Sequence, residues 1–343
     1  YVQLLEQLQQ VRLNEAQQQG TARKVDEASA PSRPIRPNPG RTLVLATIVG
    51  LLAGLSLALV LEYADTNVHD PDQLMLRTGI SSLGFVPAAR EQGVTLKIAA
   101  RSPRSPITEA FRSIRSNLKF AHLDAPCRTI EVTSAGAGEG KSFTATNLAI
   151  VFAQSGMRTL LVDGDLRRPT LHRAFGVQRS PGLTDVLTGD VSIEDAIQPT
   201  DVENLMLIPS GAVPPNPAEL LDSQRMARVT EELKAEADII IFDTPPALVV
   251  TDAIVLSPRV DAVILVVQQG AVSSRALSEI RRMVEQARGK IAGAVFNKVK
   301  AGAGGYYYHY YRYYYYYGDR DKRRRREPAA ALPDERVSRT DEV

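Results

Sequence analysis

TIEVTSAGAGEGKSFTATNLAIVFAQSG, Thr129 to Gly156, runs from an apolar strand through a loop of small residues into a helix. That succession is the context a phosphate-binding loop requires. Small residues let backbone N–H groups turn inward around phosphate oxygens, and the helix N-terminus adds the positive end of its dipole. Ala135, Gly136, Ala137, Gly138, Glu139, Gly140, Lys141, Ser142 and Phe143 therefore form the candidate nucleotide segment. Lys141 is expected to reach the β and γ phosphates of ATP, and the Ser142 hydroxyl to ligate Mg²⁺. The GxxxxGK[ST] pattern asks for glycine at position 135, where alanine stands; Gly136, Gly138 and Gly140 keep the loop pliable. The alternative is a chance glycine loop, against which strand, Lys-Ser pair and helix stand together.

Outward from this loop the pattern repeats. TIEV at 129–132, RTLLVD at 158–163, DIIIFD at 238–243, AVILVV at 262–267 and IAGAVF at 291–296 read as short apolar strands separated by helical stretches. Strands of this kind imply a parallel sheet covered on both faces. The predicted fold class is α/β, a P-loop NTPase-like parallel sheet with helices on both faces, preceded by a transmembrane helix and followed by a disordered Tyr-rich tail. LLVDGDLRRP puts Asp163 and Asp165 at one strand tip, and IIIFDTPP puts Asp243 at another, where Pro245 and Pro246 turn the chain away. A lone Asp after a strand is usually a cap or turn former. Three acids on strands flanking the loop sit instead where ligands bind in such sheets.

The chain has 343 residues, 44% hydrophobic and 23% charged, enough for one large domain plus extensions. Its net charge of +2 is too small to argue for nucleic acid, and its single Cys127 forms no internal disulfide. It begins with Tyr, so it reads as a fragment. Residues 1–30 read as the end of a helical region, with Leu4, Leu8 and Val11 at heptad spacing that Glu15 and Gln18 break. Either the frayed end of a coiled helix or a solvated helix explains it. Residues 31–41 are proline-rich and stiff. Residues 42–61, TLVLATIVGLLAGLSLALVL, are twenty residues without a charge. That length crosses a hydrocarbon core of ~30 Å. Arg33, Arg36 and Arg41 precede the span, and Glu62, Asp65, Asp70 and Asp72 follow it. A positive-inside count puts the N-terminal side in the cytoplasm. A nucleotide site demands the reverse, because ATP is cytoplasmic, and the chemistry is given precedence. Residues 62–106 read as a juxtamembrane linker, 107–300 as the nucleotide domain and 301–343 as a flexible tail.

That tail holds GGYYYHYYRYYYYYG, Gly304 to Gly318, with ten of the chain's 12 tyrosines and no tryptophan anywhere. An unbroken aromatic run cannot face a core, since a strand buries alternate residues and a helix one stripe. The phenols are therefore wanted for themselves, or the tail is a sticky low-complexity segment. RNA binding through these rings with His309, Arg312 and the KRRRR run is the weaker idea, because stacking platforms need a scaffold to space them.

The three motifs in this order resemble those of the bacterial tyrosine kinases of the capsule and exopolysaccharide systems. LLVDGDLR, Leu160 to Arg167, matches that family's second Walker-like strand, and IIIFDTPP its Walker B strand. ITEAFRSIRSNL carries Glu109, Arg112 and Arg115 in the family's ExxRxxR spacing, linked there to ring-shaped self-association. A solvated helix flank would look the same. GAVPPNPAELLDS, Gly211 to Ser223, resembles a further family segment, and the tyrosine tail is the most telling match. The resemblance covers nearly the whole chain.

It implies a tyrosine autokinase held in the bacterial inner membrane, with its kinase domain cytoplasmic and ATP and Mg²⁺ as cofactors. Ser142 would bind the metal directly, with Asp165 and Asp243 acting through its water shell. Either Asp163 or Asp165 would accept the tyrosine proton, Asp163 being the first candidate. Lys141 and Arg167 would steady the phosphates, and Asn297 would meet the base or serve as a turn residue. The acceptors would be Tyr306, Tyr307, Tyr308, Tyr310, Tyr311, Tyr313, Tyr314, Tyr315, Tyr316 and Tyr317. Expected partners are further copies in a ring, the lipid bilayer, a polysaccharide polymerase and export machinery, and a tyrosine phosphatase. The rivals are a chain-length regulator that only binds ATP and a partitioning or division-site ATPase. The latter carries an extra lysine where this chain has Gly136.

Overall fold

The structure, a computed structural model, describes residues 1–18, 38–64, 66–88, 96–121 and 127–299. The proline-rich stretch up to residue 37 and the tyrosine cluster with its basic run lie outside the described residues. The chain divides into two compact units, Tyr1–Asp65 and Thr66–Val343.

The described residues of the first unit form two helices, Val2–Gln18 and Pro39–Ala64. Leu4, Leu8 and Val11 are all exposed on the first. The second encloses the uncharged run 42–61, and Pro39–Tyr63 is long and apolar enough to cross a membrane. None of that stretch is buried by protein.

The second unit is built on an eight-stranded sheet. Its strands are β1 (Ser82–Pro87), β2 (Thr129–Ser134), β3 (Thr159–Asp163), β4 (Gln198–Pro199), β5 (Leu205–Ile208), β6 (Ile239–Asp243), β7 (Ala262–Gln268) and β8 (Ile291–Val299). They lie in the order β1-β8-β7-β2-β6-β3-β5-β4, and only the short β4 is antiparallel to its neighbour. Val, Ile and Leu fill the strands because both faces are covered: every residue of β2, β3 and β6 is buried. Ile130, Val132, Leu161, Ile241 and Ile264 face one core, against the helix Lys141–Ala153. Leu160, Val162, Phe242, Val263 and Leu265 face the other, against Gln224–Glu236 and Ser274–Gln286. From Thr144 to Ala153 the first of these helices is buried all round, so it has no polar face. Its Asn147 donates to the Leu96 and Phe143 carbonyls and accepts from the Ala99 N–H, which satisfies the amide in a dry setting.

All five expected strands are present, within a few residues of their expected bounds. The linker reading of 62–106 is corrected. Within it lie the helices Pro71–Thr78 and Ile98–Arg101, and β1, which pairs in parallel with β8. Val68, Leu74, Leu83, Val86 and Ala99 are buried in the two cores, so the folded unit begins at Thr66 rather than at 107. SLGFVP hides its strand character because it carries Gly84 and ends in Pro87. The glycine is required: its φ is +152°, and a Cβ there would lie 2.7 Å from Ile114 Cγ1.

Candidate active site

Because β2, β6, β3 and β7 run parallel, their C-terminal tips share one edge of the sheet. Asp163 and Asp243 sit directly opposite each other at the ends of β3 and β6. The loop 135–140 leaves the tip of β2, which β6 and β7 flank, and the helix Lys141–Ala153 opens behind it. Topology alone therefore brings two acids and the loop to one place, where parallel sheets bind ligands.

The loop is held open by its neighbours. Gly136 N–H donates to the Glu139 carboxylate, Asn297 Nδ2 donates to the Glu139 carbonyl at 2.8 Å, and Lys298 Nζ to the Gly138 carbonyl at 2.6 Å. Asn297 is 3% exposed, and in this structure its amide clasps the loop. Burial pushes the Glu139 carboxyl up to about 7, against hydrogen bonds from loop N–H groups and the nearby Lys298 charge. Phe143 packs against Phe111, ring centroids 5.8 Å apart, so the start of the helix is fixed from the other side. Gly140 has φ +100°, and a Cβ there would lie 2.0 Å from Asn297 Nδ2. Gly140→Ala should cost about 1–3 kcal/mol of local strain and displace the clasp. A fluorescent ATP analogue should then bind at least tenfold more weakly in titration; unchanged affinity would show that the loop closes without the clasp.

Lys141 Nζ lies 3.3 Å from Asp165 Oδ2, with both side chains largely buried. Asp165 also accepts from Arg168 N–H at 3.0 Å, and Asp163 from Thr170 and Leu171 N–H at 3.2 and 3.1 Å. Burial pushes the Asp163 carboxyl up to about 8, helped by the charges of Asp243 and Asp165 and opposed by those two N–H bonds. Asp243 is fully buried and raised to about 6 by desolvation, while Lys141 and the Ser142 hydroxyl beside it pull the value down. Neither Asp243 oxygen, nor Asp163 Oδ1, has a partner at normal hydrogen-bond geometry. Buried carboxylate oxygens without donors are costly, and a cation or its water shell would satisfy them. The described residues thus gather Lys141, Ser142, Asp163, Asp165 and Asp243 at one sheet edge.

Arg167 and the Glu109, Arg112 and Arg115 flank each have contacts within the chain. Arg167 makes a two-armed salt bridge, 2.9 Å at each arm, to Asp252, which is fully buried at the start of the helix Asp252–Leu256. Its guanidinium is turned to that carboxylate. Glu109 and Arg112 pair with each other on the helix Pro106–Ala121, and Arg115 donates to the Val151 carbonyl. PPNPAELL forms the short helix Pro217–Asp222.

Sequence reading passed over Glu131 and Thr244. Glu131 is fully buried in the middle of β2, accepts from Thr244 Oγ1 at 2.9 Å, and is raised well above the usual carboxylate range by desolvation. The signal was there: one acid inside a strand otherwise free of charge, and a threonine directly after Asp243.

Comparisons with known proteins agree with this fold. Residues 127–295 match the AAA domain family model, and residues 1–63 match the G-rich domain on putative tyrosine kinase. The tyrosine-protein kinase YwqD of Bacillus subtilis strain 168 is 42% identical over 203 residues, 59% of this chain and 86% of YwqD. The chain belongs to the bacterial tyrosine kinases. Among members of that family, the putative tyrosine-protein kinase EpsB of Ralstonia nicotianae is 36% identical over 311 residues. That match covers 87% of this chain but only 41% of EpsB, so the chain spans less than half the length of that relative. Among solved kinase domains of the family, that of the Escherichia coli tyrosine kinase ETK superposes with a TM-score of 0.64 at 33% identity, covering 69% of this chain and 97% of the domain.

Proposed function

We propose that the chain is a membrane-anchored protein-tyrosine autokinase that moves the γ-phosphate of ATP to the tyrosines between Tyr306 and Tyr317. The observation that carries this reading is the convergence of Lys141 and Ser142 with Asp163, Asp165 and Asp243, of which Asp163 Oδ1 and both Asp243 oxygens are buried without a hydrogen-bond partner at normal geometry. Such a donor set fits a magnesium nucleotide: hard oxygen ligands for the metal, small loop residues and a lysine for phosphates. When bound, magnesium supplies charge neutralisation at the phosphate oxygens. The residues of the chain supply the rest. Loop N–H groups between 136 and 143 cradle the phosphates, and Lys141 faces the β and γ oxygens. Ser142, Asp165 and Asp243 would hold the metal and its water shell.

A phenol has a pKa of about 10 and needs help to lose its proton. Asp163, raised to about 8 by burial, is the carboxyl placed to take that proton, and the share of its ionised, proton-accepting form grows as the pH rises towards 8. The phenol oxygen bonds to the γ-phosphorus, the bond to the β–γ bridging oxygen breaks, ADP leaves, and the proton stays on Asp163.

The same reading includes self-association through the flank of Glu109, Arg112 and Arg115, cytoplasmic placement of the kinase unit, and control of surface polysaccharide polymerisation and export. A tyrosine phosphatase would reverse it. A cluster of phosphates repels itself, since each adds about −1.5 to −2 charge.

Transfer between copies is testable by mixing. A chain ending at residue 303 should phosphorylate the tail of the Lys141→Met full-length chain in the presence of Mg·ATP, read by mass spectrometry. If ATP is consumed and both chains stay unmodified, the protein is an ATPase of the partitioning type.

A further inference from the structure

The segment behind the β3 tip is unusually basic. From Leu166 to Thr184 there are four arginines, Arg167, Arg168, Arg173 and Arg179, and His172, with no acidic residue. Arg167 is engaged with Asp252. Arg168, Arg173 and Arg179 are exposed and have no carboxylate partner among the described residues; Arg173 donates only to the Pro169 carbonyl, at 3.2 Å. Arg173 and Arg179 both lie near enough to His172 for their charges, after burial, to hold it below its usual pKa, while Arg168 shares their chain segment and is tied by its N–H to Asp165. Three acids of the surrounding segments are already engaged. Asp185 accepts from Ser180 and Gly182, Asp201 from Lys97, and Asp165 from Arg168 N–H beside Lys141.

This surface belongs to the mouth of the site. Asp163 and Asp165 hold it by the N–H groups of Arg168, Thr170 and Leu171. The described chain ends with β8 at this edge, where Lys298 touches the loop at Gly138, and the tyrosine run follows in sequence. Extended chain covers ~3.5 Å per residue, so Tyr306 to Tyr317 reach about 25 to 65 Å from Val299.

The charges of the run decide what the patch takes. Between Gly304 and Gly318 the unmodified sequence carries only Arg312 and His309 as ionisable groups besides its phenols, so three unpaired arginines do not attract it. A phosphotyrosine reverses that sign and offers the acceptor geometry that guanidinium groups bind in pairs. We propose that Arg168, Arg173 and Arg179 form a docking surface for phosphotyrosines of the tail, holding a tail already modified while its next tyrosine enters the site. It deepens the kinase reading and rests on it for the source of the phosphate. Phosphorylation of the ten-tyrosine cluster then runs on along one tail rather than starting afresh on each.

The test separates docking from catalysis. A synthetic peptide of residues 304–318 with three phosphotyrosines, and its unphosphorylated twin, are titrated by fluorescence anisotropy against full-length Lys141→Met protein in detergent. The phosphopeptide should bind at least tenfold more tightly. The triple variant Arg168→Gln/Arg173→Gln/Arg179→Gln, made in that background, should lose that tenfold, and the corresponding Lys triple should retain most of it. In active protein the Gln triple should add the first phosphate at the normal rate but accumulate singly modified tails. Equal binding of the two peptides, or undiminished binding by the Gln triple, overturns the proposal. So does displacement of the phosphopeptide by phosphatidylglycerol vesicles but not by inorganic phosphate, which assigns the patch to the bilayer. Failure of the active protein to make phosphotyrosine, with the peptide result intact, sinks the kinase reading and leaves the docking surface standing.

Discussion

Lys141→Met should lower the initial rate of tail phosphorylation by about 10²–10³, the usual cost of removing one preorganised charge from a phosphoryl or oxyanion site. Three buried acids meet at this edge, and Lys141 is the cation that faces them, 3.3 Å from Asp165 and close enough to pull the Asp243 carboxyl down. Methionine keeps much of the side chain's volume and removes the charge. Two losses then add. The transferring phosphate loses its positive partner, Asp165 loses its ion-pair partner, and Asp243 loses the charge that pulls its carboxyl down. Quantitative mass spectrometry of phosphotyrosine at fixed Mg·ATP measures the drop. A loss smaller than fivefold would mean that Lys141 serves the fold and that phosphate is bound elsewhere.

The second large effect falls on stability. Asp252 is completely buried, and both its oxygens are held by Arg167. Removing one partner of a buried pair costs ~3–5 kcal/mol, because a charge is left without compensation. Arg167 is 41% exposed, so water reaches the gap and the lower end applies, about 3 kcal/mol. For a unit of this size that lowers Tm by about 6–12 °C in calorimetry. Arg167→Ala/Asp252→Ala should recover most of the loss, since the stranded charge is gone. If Arg167 instead serves the phosphate, Arg167→Ala keeps its Tm and loses activity, and the double variant regains none.

The second case also marks how far the sequence could be read. The phosphate loop, the five inner strands and the three strand-tip acids were legible because each is local: an apolar run, a glycine pattern, an acid at its end. What brings them together is also simple, since parallel strands put all their C-terminal tips on one edge. The Arg167–Asp252 pair was not legible. It joins positions 85 residues apart, and only packing reveals that a helix-starting Asp lies dry. Similarly, β1 reads as linker in sequence because Gly84 and Pro87 mask its pattern and its partner β8 lies some 200 residues downstream. Asn297 sat at a strand end, where turn and ligand residues look alike, and its clasp on the Glu139 carbonyl depends on a chain segment 158 residues away. Glu131 was visible as an anomaly, but its threonine partner across β6 was not.

The fate of the γ-phosphate tests the central claim most directly. Wild-type protein is incubated with Mg²⁺ and ATP labelled at the γ position, and the label is followed by peptide mapping. Label on phenol oxygens between Tyr306 and Tyr317, matched by ADP released and absent from the Lys141→Met protein, is the result predicted. Label recovered as free phosphate, with the tail unmodified, would contradict it.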